Sequence, residues 1–318
     1  MDYDVYSEAS KLSKLPADTD SRDWPLGKKL LYEEGAPGLW ARICLVAAAL
    51  TQEPMLAIWL LIECVNGLRR ESGKWDVSFA SGLLDAIRER IELLPDQGGP
   101  CVLRLRELWC YHSGWVYHPA GQFTKAVECH RQSIGLASNP RARSLSEYNM
   151  LYEGMHHAIV MADPQLADRF REYVHAAQET LGVLSSNEED DKRWRANIQG
   201  HLAVFTWMVS GEIAVSDALA AFEALPGDTR NAFSEAEVVI GALNVLTETP
   251  LEAVGIANGI NPEGQIDWRS YAMYIHGVAL AKVGKAEESQ EVFTHLLTLP
   301  NRENGGHLVA ALIEQSFK

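Results

Sequence analysis

Apolar side chains recur at spacings of three and four residues along almost the whole chain beyond Gly38, as they do on one face of an amphipathic helix. Alternating runs of β-branched residues, which are typical of strands, are nearly absent. The breaks in the pattern are short and rich in Pro and Gly, and they lie at residues 52–54, 95–100, 119–121, 163–164, 211, 249–250 and 284. Short connections make successive helices antiparallel, so the sequence predicts an all-α protein built from helix hairpins.

Acidic residues outnumber basic ones in a chain of otherwise ordinary composition. The 318 residues include 28 Lys and Arg against 43 Asp and Glu, which gives a formal net charge of −15 at pH 7. This charge repels a phosphate backbone, so we expect no nucleic-acid partner. Apolar residues make up 47% and charged residues 22%, which is typical of a folded chain with a core.

The cysteines and the hydrophobic stretches favour a cytoplasmic location. The cysteines are odd in number and lie mostly in apolar helical stretches, so we expect reduced thiols that fill the core. They are Cys44, Cys64, Cys101, Cys110 and Cys129. The first forty residues contain no apolar run of signal-peptide length. Polar residues and a proline interrupt the most apolar stretch, residues 43–65, which therefore predicts two buried helices and no membrane span.

Two segments share a set of small, aromatic and turn residues. The first, residues 109–140, reads WCYHSGWVYHPAGQFTKAVECHRQSIGLASNP and contains Gly114, Tyr117, Gly121, Phe123, Ala126 and Pro140. The second, residues 271–300, reads YAMYIHGVALAKVGKAEESQEVFTHLLTLP and contains Gly277, Leu280, Gly284, Phe293 and Pro300. Both segments resemble the tetratricopeptide repeat, a helix hairpin with small residues at the helix crossing, Gly at the turn and Pro at the end.

The positions of the glycines have a physical reason. We expect Gly114 to face Ala126 where the two helices of the hairpin cross most closely, because larger side chains would wedge the helices apart. Gly121 and Gly284 are expected to end the first helices in the left-handed conformation, which lets the chain reverse.

Weaker copies of the hairpin lie around the two good ones. They pair Leu45 with Ala57, Met155 with Ala167, and Gly241 with Ala253, and a further copy turns at Gly211. The resemblance implies a TPR-like solenoid, a right-handed α–α superhelix of about six to seven hairpins, over residues 38–318. Residues 1–37 predict a partly ordered lead-in. The helix over residues 77–94 pairs either with the helix that ends near Arg70 or with residues 102–116.

In tetratricopeptide arrays the first helix of each hairpin lines a concave groove, and the resemblance implies which side chains would line it here. They form a largely aromatic row, and aromatic residues with polar tips bury much area at little entropic cost. The row comprises Tyr111, Trp115, His118, Tyr152, His156, His201, Phe205, Tyr271 and Tyr274. The alternative is that some of them contact the next repeat. The basic residues of repeats that clamp a carboxylate are missing, so we expect an apolar or aromatic-rich partner segment.

Motifs for catalysis, cofactors or metals are absent from the sequence. Residues 67–74 approach a P-loop, but they have one residue too many between the glycines and precede Trp75. No Cys-x-x-Cys, His-Glu-x-x-His or Gly-x-Ser-x-Gly occurs. Neighbouring residues such as His156 and His157 point about 100° apart on a helix and cannot easily share one ion. The acidic run at residues 188–191 predicts the start of a helix.

These observations lead to three hypotheses of different classes. The first is a non-enzymatic adaptor or scaffold that holds a segment of another protein in the groove and regulates an enzyme or effector; it rests on analogy with the family. The second is a sensor whose solenoid changes curvature when a peptide or small ligand binds. The third is a metal-dependent enzyme that uses the groove histidines. We expect no cofactor, no metal and no membrane partner.

Overall fold

The computed structural model describes residues 3–16, 24–70, 77–227, 230, 234–259, 266–298 and 306–316. Helices dominate this part of the chain, and none of the described residues lies in a strand, so the all-α prediction is confirmed. Within the same residues no helix combines the length and the apolar run needed to cross a membrane.

The chain divides into two compact units. Unit 1 comprises residues 1–117 and 125–146, and unit 2 comprises residues 118–124 and 147–318. The helices of unit 1 are α1 (Val5–Leu12), α2 (Pro25–Lys28), α3 (Pro37–Leu50), α4 (Pro54–Arg70), α5 (Val77–Glu92), α6 (Pro100–Tyr117) and most of α7 (Phe123–Leu136). A short π-helical turn, Lys29–Glu33, extends α2. Helix α5 packs against both α4 and α6, so both pairings considered for it occur.

Helix α8 (Pro140–Val160) begins in unit 1 and continues into unit 2. The remaining helices of unit 2 are α9 (Leu166–Val183), α10 (Glu189–Ser210), α11 (Ser216–Glu223), α12 (Ser234–Val245), α13 (Pro250–Ala257), α14 (Ile266–Lys282), α15 (Ala286–Thr298) and α16 (Gly306–Ser316). Most of them pack against the next helix along the chain, as in a series of hairpins. The acidic run begins α10, as the sequence predicts.

Proline and glycine set many of the helix ends. Six helices begin with a proline, whose missing N–H is not needed in the first turn: α2, α3, α4, α6, α8 and α13. Gly121, Gly211 and Gly284 have φ angles of 68°, 73° and 82°, which is the left-handed region that glycine enters without strain. The predicted left-handed turns at Gly121 and Gly284 are confirmed. Pro300, which the sequence places at the end of the last repeat, lies outside the described residues.

Ala162 enters the same left-handed region without being a glycine. It follows α8 with a φ angle of 49°, and its side chain is exposed. Because an L-residue is strained there, we expect Ala162→Gly to raise the free energy of unfolding by about 0.5–1 kcal/mol. Ala224→Gly is the matched control, since Ala224 is also exposed but has a φ angle of −76°; it should lower stability by a similar amount. Equal effects of the two changes in denaturant unfolding would contradict the prediction.

Part of the predicted lead-in, residues 1–37, is helical where it is described. The Asp4 side chain accepts hydrogen bonds from the backbone N–H groups of Tyr6 and Ser7 and so caps α1. Ala9 and Leu12 are buried, and α1 packs against α3. This part of the predicted lead-in therefore belongs to the core of unit 1. Residues 17–23 of the lead-in lie outside the described residues.

The cysteines are free thiols, and four of the five are buried in unit 1, as the sequence predicts. Burial raises the pKa of Cys64 and of Cys110 to about 12 and that of Cys129 to about 11. Cys101 is only half-buried. Because the thiolate is the reactive form, the buried thiols act as apolar side chains.

Glycines mark the closest helix contacts in both segments, and an aromatic ring lies against each of them. A Cβ atom on Gly114 would collide with the ring of His130, and one on Gly277 would collide with the ring of Phe293. Each ring lies equally far along the chain from its glycine. Ser289 also contacts Gly277, because its hydroxyl donates to the Gly277 carbonyl at 2.7 Å. The crossing therefore holds a glycine against an aromatic ring as well as a small residue.

The contact at Gly277 predicts a measurable cost for one added methyl group. We expect Gly277→Ala to lower the free energy of unfolding by about 1–3 kcal/mol, because the ring of Phe293 has to move aside. Adding Phe293→Leu to the same chain should recover most of this loss. Gly255→Ala is the matched control in α13, where no atom lies within 4 Å of the added Cβ, and it should stabilise the protein by about 0.5–1 kcal/mol. A destabilising Gly255→Ala would contradict this account.

Candidate functional site

Two helices that carry much of the predicted aromatic row, α8 and α10, lie side by side in unit 2. The ring of Tyr152 lies 4.8 Å from that of His201, and the ring of His156 lies 5.4 Å from that of Phe205. The residue numbers rise together along both helices, so the helices run in the same direction. Successive first helices of stacked hairpins are related in this way.

Helix α14 lies beside α10 in the same direction. The ring of Trp268 stacks on His201 at 4.6 Å with an angle of 22° between the planes, and the rings of Trp207 and Tyr274 lie 5.7 Å apart. Helix α14 also reaches α8, because the Tyr271 hydroxyl lies 3.4 Å from His156 Nε2. Each of the three helices therefore contacts the other two and encloses the side chains between them.

This packing decides the exposure of the predicted groove residues. Six of the nine are buried in unit 2: His118, Tyr152, His156, His201, Phe205 and Tyr271. They do not line an exposed face here, because contacts among α8, α10, α14 and His118 enclose them. For these six the structure shows contact between repeats, the alternative that the sequence leaves open. Contact with a partner stays a prediction.

The other three predicted groove residues remain partly exposed to solvent. Tyr274 is half-buried in unit 2, where its ring lies 5.9 Å from that of Phe293. Tyr111 and Trp115 are half-buried in unit 1, and their rings lie 6.0 and 5.9 Å from the ring of His130. The guanidinium of Arg69 lies over the Trp115 ring at 5.8 Å, within the range of a cation–π interaction.

A buried pair of a histidine and a carboxylate lies within the cluster in unit 2. His118 Nδ1 lies 2.6 Å from Glu153 Oε2, and both side chains are almost completely inaccessible, at 1% and 0% exposure. Burial raises the pKa of Glu153, and the neighbouring His118 opposes this shift. The imidazole of His118 also stacks on Tyr152 at 5.7 Å and meets His156 edge-on at 4.5 Å. Glu153 was not predicted as a site residue from the sequence, although it follows Tyr152 directly.

Two histidines of this cluster, His156 and His201, are held in the neutral form. Burial lowers the pKa of His156 well below its ordinary value, and His118, His201 and His307 lower it further. The pKa of His201 falls to about 3, chiefly through burial and secondarily through His118, while the backbone of Asn197 acts in the opposite direction. Such residues strengthen a buried network through rings and hydrogen bonds. No three His, Cys, Asp or Glu side chains among the described residues are grouped so that they could hold a metal ion.

Several aromatic residues of the cluster were not assigned to the aromatic row from the sequence. They are Phe123, Trp207, Trp268, Phe293 and His307, all of which make ring contacts in unit 2. Trp207 and Trp268 carry a signal that could have revealed them, since each follows or precedes a predicted row residue within one helical turn. His307 carries none, because it lies far from the row in sequence.

No family model, curated protein or solved structure matches the chain. Likeness to the tetratricopeptide repeat thus rests on the two segments of the sequence and remains a prediction. The surfaces and contacts of the chain itself are therefore the evidence for its function.

Proposed function

We propose that this chain is a non-enzymatic adaptor that binds a segment of another protein, with Trp207 and Tyr274 as its main contacts. One observation carries the proposal: these two rings are half-buried and lie 5.7 Å apart on neighbouring helices, whereas most of the aromatic row is buried. Phe293 is also half-buried and continues the set beside Tyr274. Aromatic residues that keep some exposure are typical anchors of protein interfaces.

The proposal includes a TPR-like stacking of the hairpins into a right-handed superhelix. Three features support it. The glycines at 114 and 277 contact rings at equivalent positions, Gly121 and Gly284 have left-handed turns, and α8, α10 and α14 run in the same direction. The net charge of −15 and the free thiols support a cytoplasmic adaptor with a protein partner rather than a nucleic acid.

The aromatic side chains that remain partly exposed favour a partner segment with apolar or aromatic side chains. Around Tyr274 the contacts are with other aromatic rings, and burial raises the pKa of its hydroxyl, so the group is neutral. Tyr111 and Trp115 offer a second, similar surface in unit 1. A partner that inserts apolar side chains would gain most of its affinity from such anchors.

A quantitative capture experiment tests the proposal. Immobilised wild-type protein and the double variant Trp207→Ala with Tyr274→Ala are exposed to extract from the source cells, and bound proteins are quantified by isotope-labelled mass spectrometry. Loss of two anchors should weaken a specific partner by about 2–4 kcal/mol, or at least about thirtyfold. Met161→Ala with Leu251→Ala is the matched control, since both residues are exposed apolar side chains of unit 2.

The capture experiment either supports or overturns the proposal once the folding of the double variant has been checked. The double variant should keep the helical circular dichroism of the wild type, because both side chains are only half-buried. Specific partners that bind the wild type and the control but not the folded double variant support the proposal. Equal capture by all three proteins overturns it.

A further inference from the structure

Three buried polar side chains share one face of α8 within unit 2. Asn149, Glu153 and His156 are four and three residues apart, so they lie within about 60° of one another around the helix axis. All three have 0% exposure. Neither polar atom of the Asn149 side chain has a hydrogen-bond partner in the part of the chain that the structure describes, and the same holds for Glu153 Oε1 and His156 Nδ1.

The protein does supply partners for the other polar atoms of Glu153 and His156. Glu153 Oε2 lies 2.6 Å from His118 Nδ1, and the Tyr271 hydroxyl lies 3.4 Å from His156 Nε2. Asn149 and Glu153 are one helical turn apart, a spacing at which an amide and a carboxylate can hydrogen-bond directly. They do not do so here. Two buried polar groups that face the same way without reaching each other are typical partners of a bridging molecule.

The energetics require that such a molecule be present. A buried donor or acceptor without a partner costs more free energy than an ordinary hydrogen bond gains, and folded proteins contain few of them. Four such atoms on one face of one helix are therefore a binding site rather than a packing defect.

The chemistry of the four atoms defines what the site accepts. The Asn149 amide donates through Nδ2 and accepts through Oδ1, and Glu153 Oε1 accepts when the carboxyl group is ionised. A metal cation satisfies acceptors only, and an anion satisfies donors only. Water does both, and a buried water molecule typically makes about three hydrogen bonds to protein groups of this kind.

We propose that this face of α8 binds ordered internal water, with one molecule bridging the Asn149 side chain to Glu153 Oε1. A second molecule on His156 Nδ1, about one turn further along the helix, completes the row. The water thus supplies the hydrogen bonds that the protein does not give to the carboxyl group paired with His118. The inference goes beyond the proposed function and does not depend on it, because neither Trp207 nor Tyr274 belongs to this site.

Counting long-lived internal water in the full chain tests the proposal. Magnetic relaxation dispersion of the solvent measures this number in wild-type protein and in Asn149→Leu, whose side chain has a similar size but cannot hydrogen-bond. We expect Asn149→Leu to lose at least one of the long-lived molecules. Thr180→Val is the matched control in unit 2, since Thr180 is equally buried but its hydroxyl already donates to the Ala176 carbonyl at 2.8 Å. It should leave the count unchanged.

A high-resolution crystal structure of the wild type gives an answer that does not depend on whether a variant folds. A density peak at hydrogen-bonding distance, about 2.7–3.2 Å, from both the Asn149 amide and Glu153 Oε1 supports the proposal. A direct hydrogen bond between Asn149 and Glu153 without such a peak overturns it. A peak about 2.0–2.6 Å from several oxygens also overturns it, because that distance indicates a bound cation. An unchanged count of long-lived water in folded Asn149→Leu is equally contrary to it, and none of these results affects the capture test.

Discussion

Glu153→Ala is expected to lower the free energy of unfolding of unit 2 by about 3–5 kcal/mol. The carboxylate lies 2.6 Å from His118 Nδ1 inside a fully buried cluster, so its removal takes away the charged partner of a desolvated imidazole. It also leaves a space among the rings of Tyr152 and His156, which touch the same imidazole. Hydrogen exchange measured by mass spectrometry on peptides of α8, α10 and α14 reports this free energy for unit 2 alone.

Two further variants distinguish the contribution of the His118–Glu153 pair to stability from the contribution of packing. Glu147→Ala on the same helix removes an exposed carboxylate and should change stability by less than about 0.5 kcal/mol. Glu153→Leu combined with His118→Phe replaces both partners by apolar groups and should cost less than Glu153→Ala alone, because no buried charge is left unpaired. A double variant that is less stable than Glu153→Ala would show that the pair stabilises unit 2 in itself.

Acidification from pH 7 to pH 5 should destabilise unit 2 through its neutral histidines. In the unfolded chain a histidine has a pKa near its ordinary value of 6.5, whereas the folded-state pKa of His201 is about 3. The unfolded state thus binds a proton that the folded state does not, and stability is lost as pH falls below 6.5. For His201 this amounts to about 2 kcal/mol by pH 5, and His156 adds a contribution of the same sign. The raised pKa of Glu153 acts in the opposite direction.

A single substitution isolates the contribution of His201. His201→Phe keeps a flat ring against Trp268 but cannot take up a proton, so between pH 7 and pH 5 this variant should lose about 2 kcal/mol less than the wild type. His175→Gln is the matched control, because His175 is exposed in α9, and it should leave the loss unchanged. The measurement is hydrogen exchange of α10 peptides at both pH values, corrected for intrinsic rates. The same pH dependence in His201→Phe and the wild type would contradict the assignment.

The helices and their turns could be predicted because their causes are local. The spacing of apolar residues, the prolines that begin six helices and the left-handed glycines at 121 and 284 act within a few residues of the chain. The close approach at Gly114 and Gly277 was also visible, because only a missing side chain permits it. The ring that lies against each glycine, His130 or Phe293, could not be predicted, because it depends on how the two helices cross.

The exposure of the aromatic row could not be predicted because its cause is not local. Tyr152 and His201 would lie on a concave face if α8 and α10 formed an open layer. Tyr271 meets His156 across 115 positions of sequence, and this contact brings α14 over both helices. No periodicity within α8 or α14 reveals such a closure. The pair of His118 with Glu153 depends on the same long-range packing.

The division of the chain also limits how this protein can be cut into pieces. Residues 118–124 belong to unit 2 while residues 125–146 return to unit 1, and α8 continues across the boundary after residue 146. A single truncation cannot separate the two units, because any C-terminal cut that keeps all of unit 1 also keeps residues 118–124 of unit 2. Neither unit can therefore be expressed as one uninterrupted stretch of sequence, and a stop codon directly after residue 146 would end the chain partway along α8.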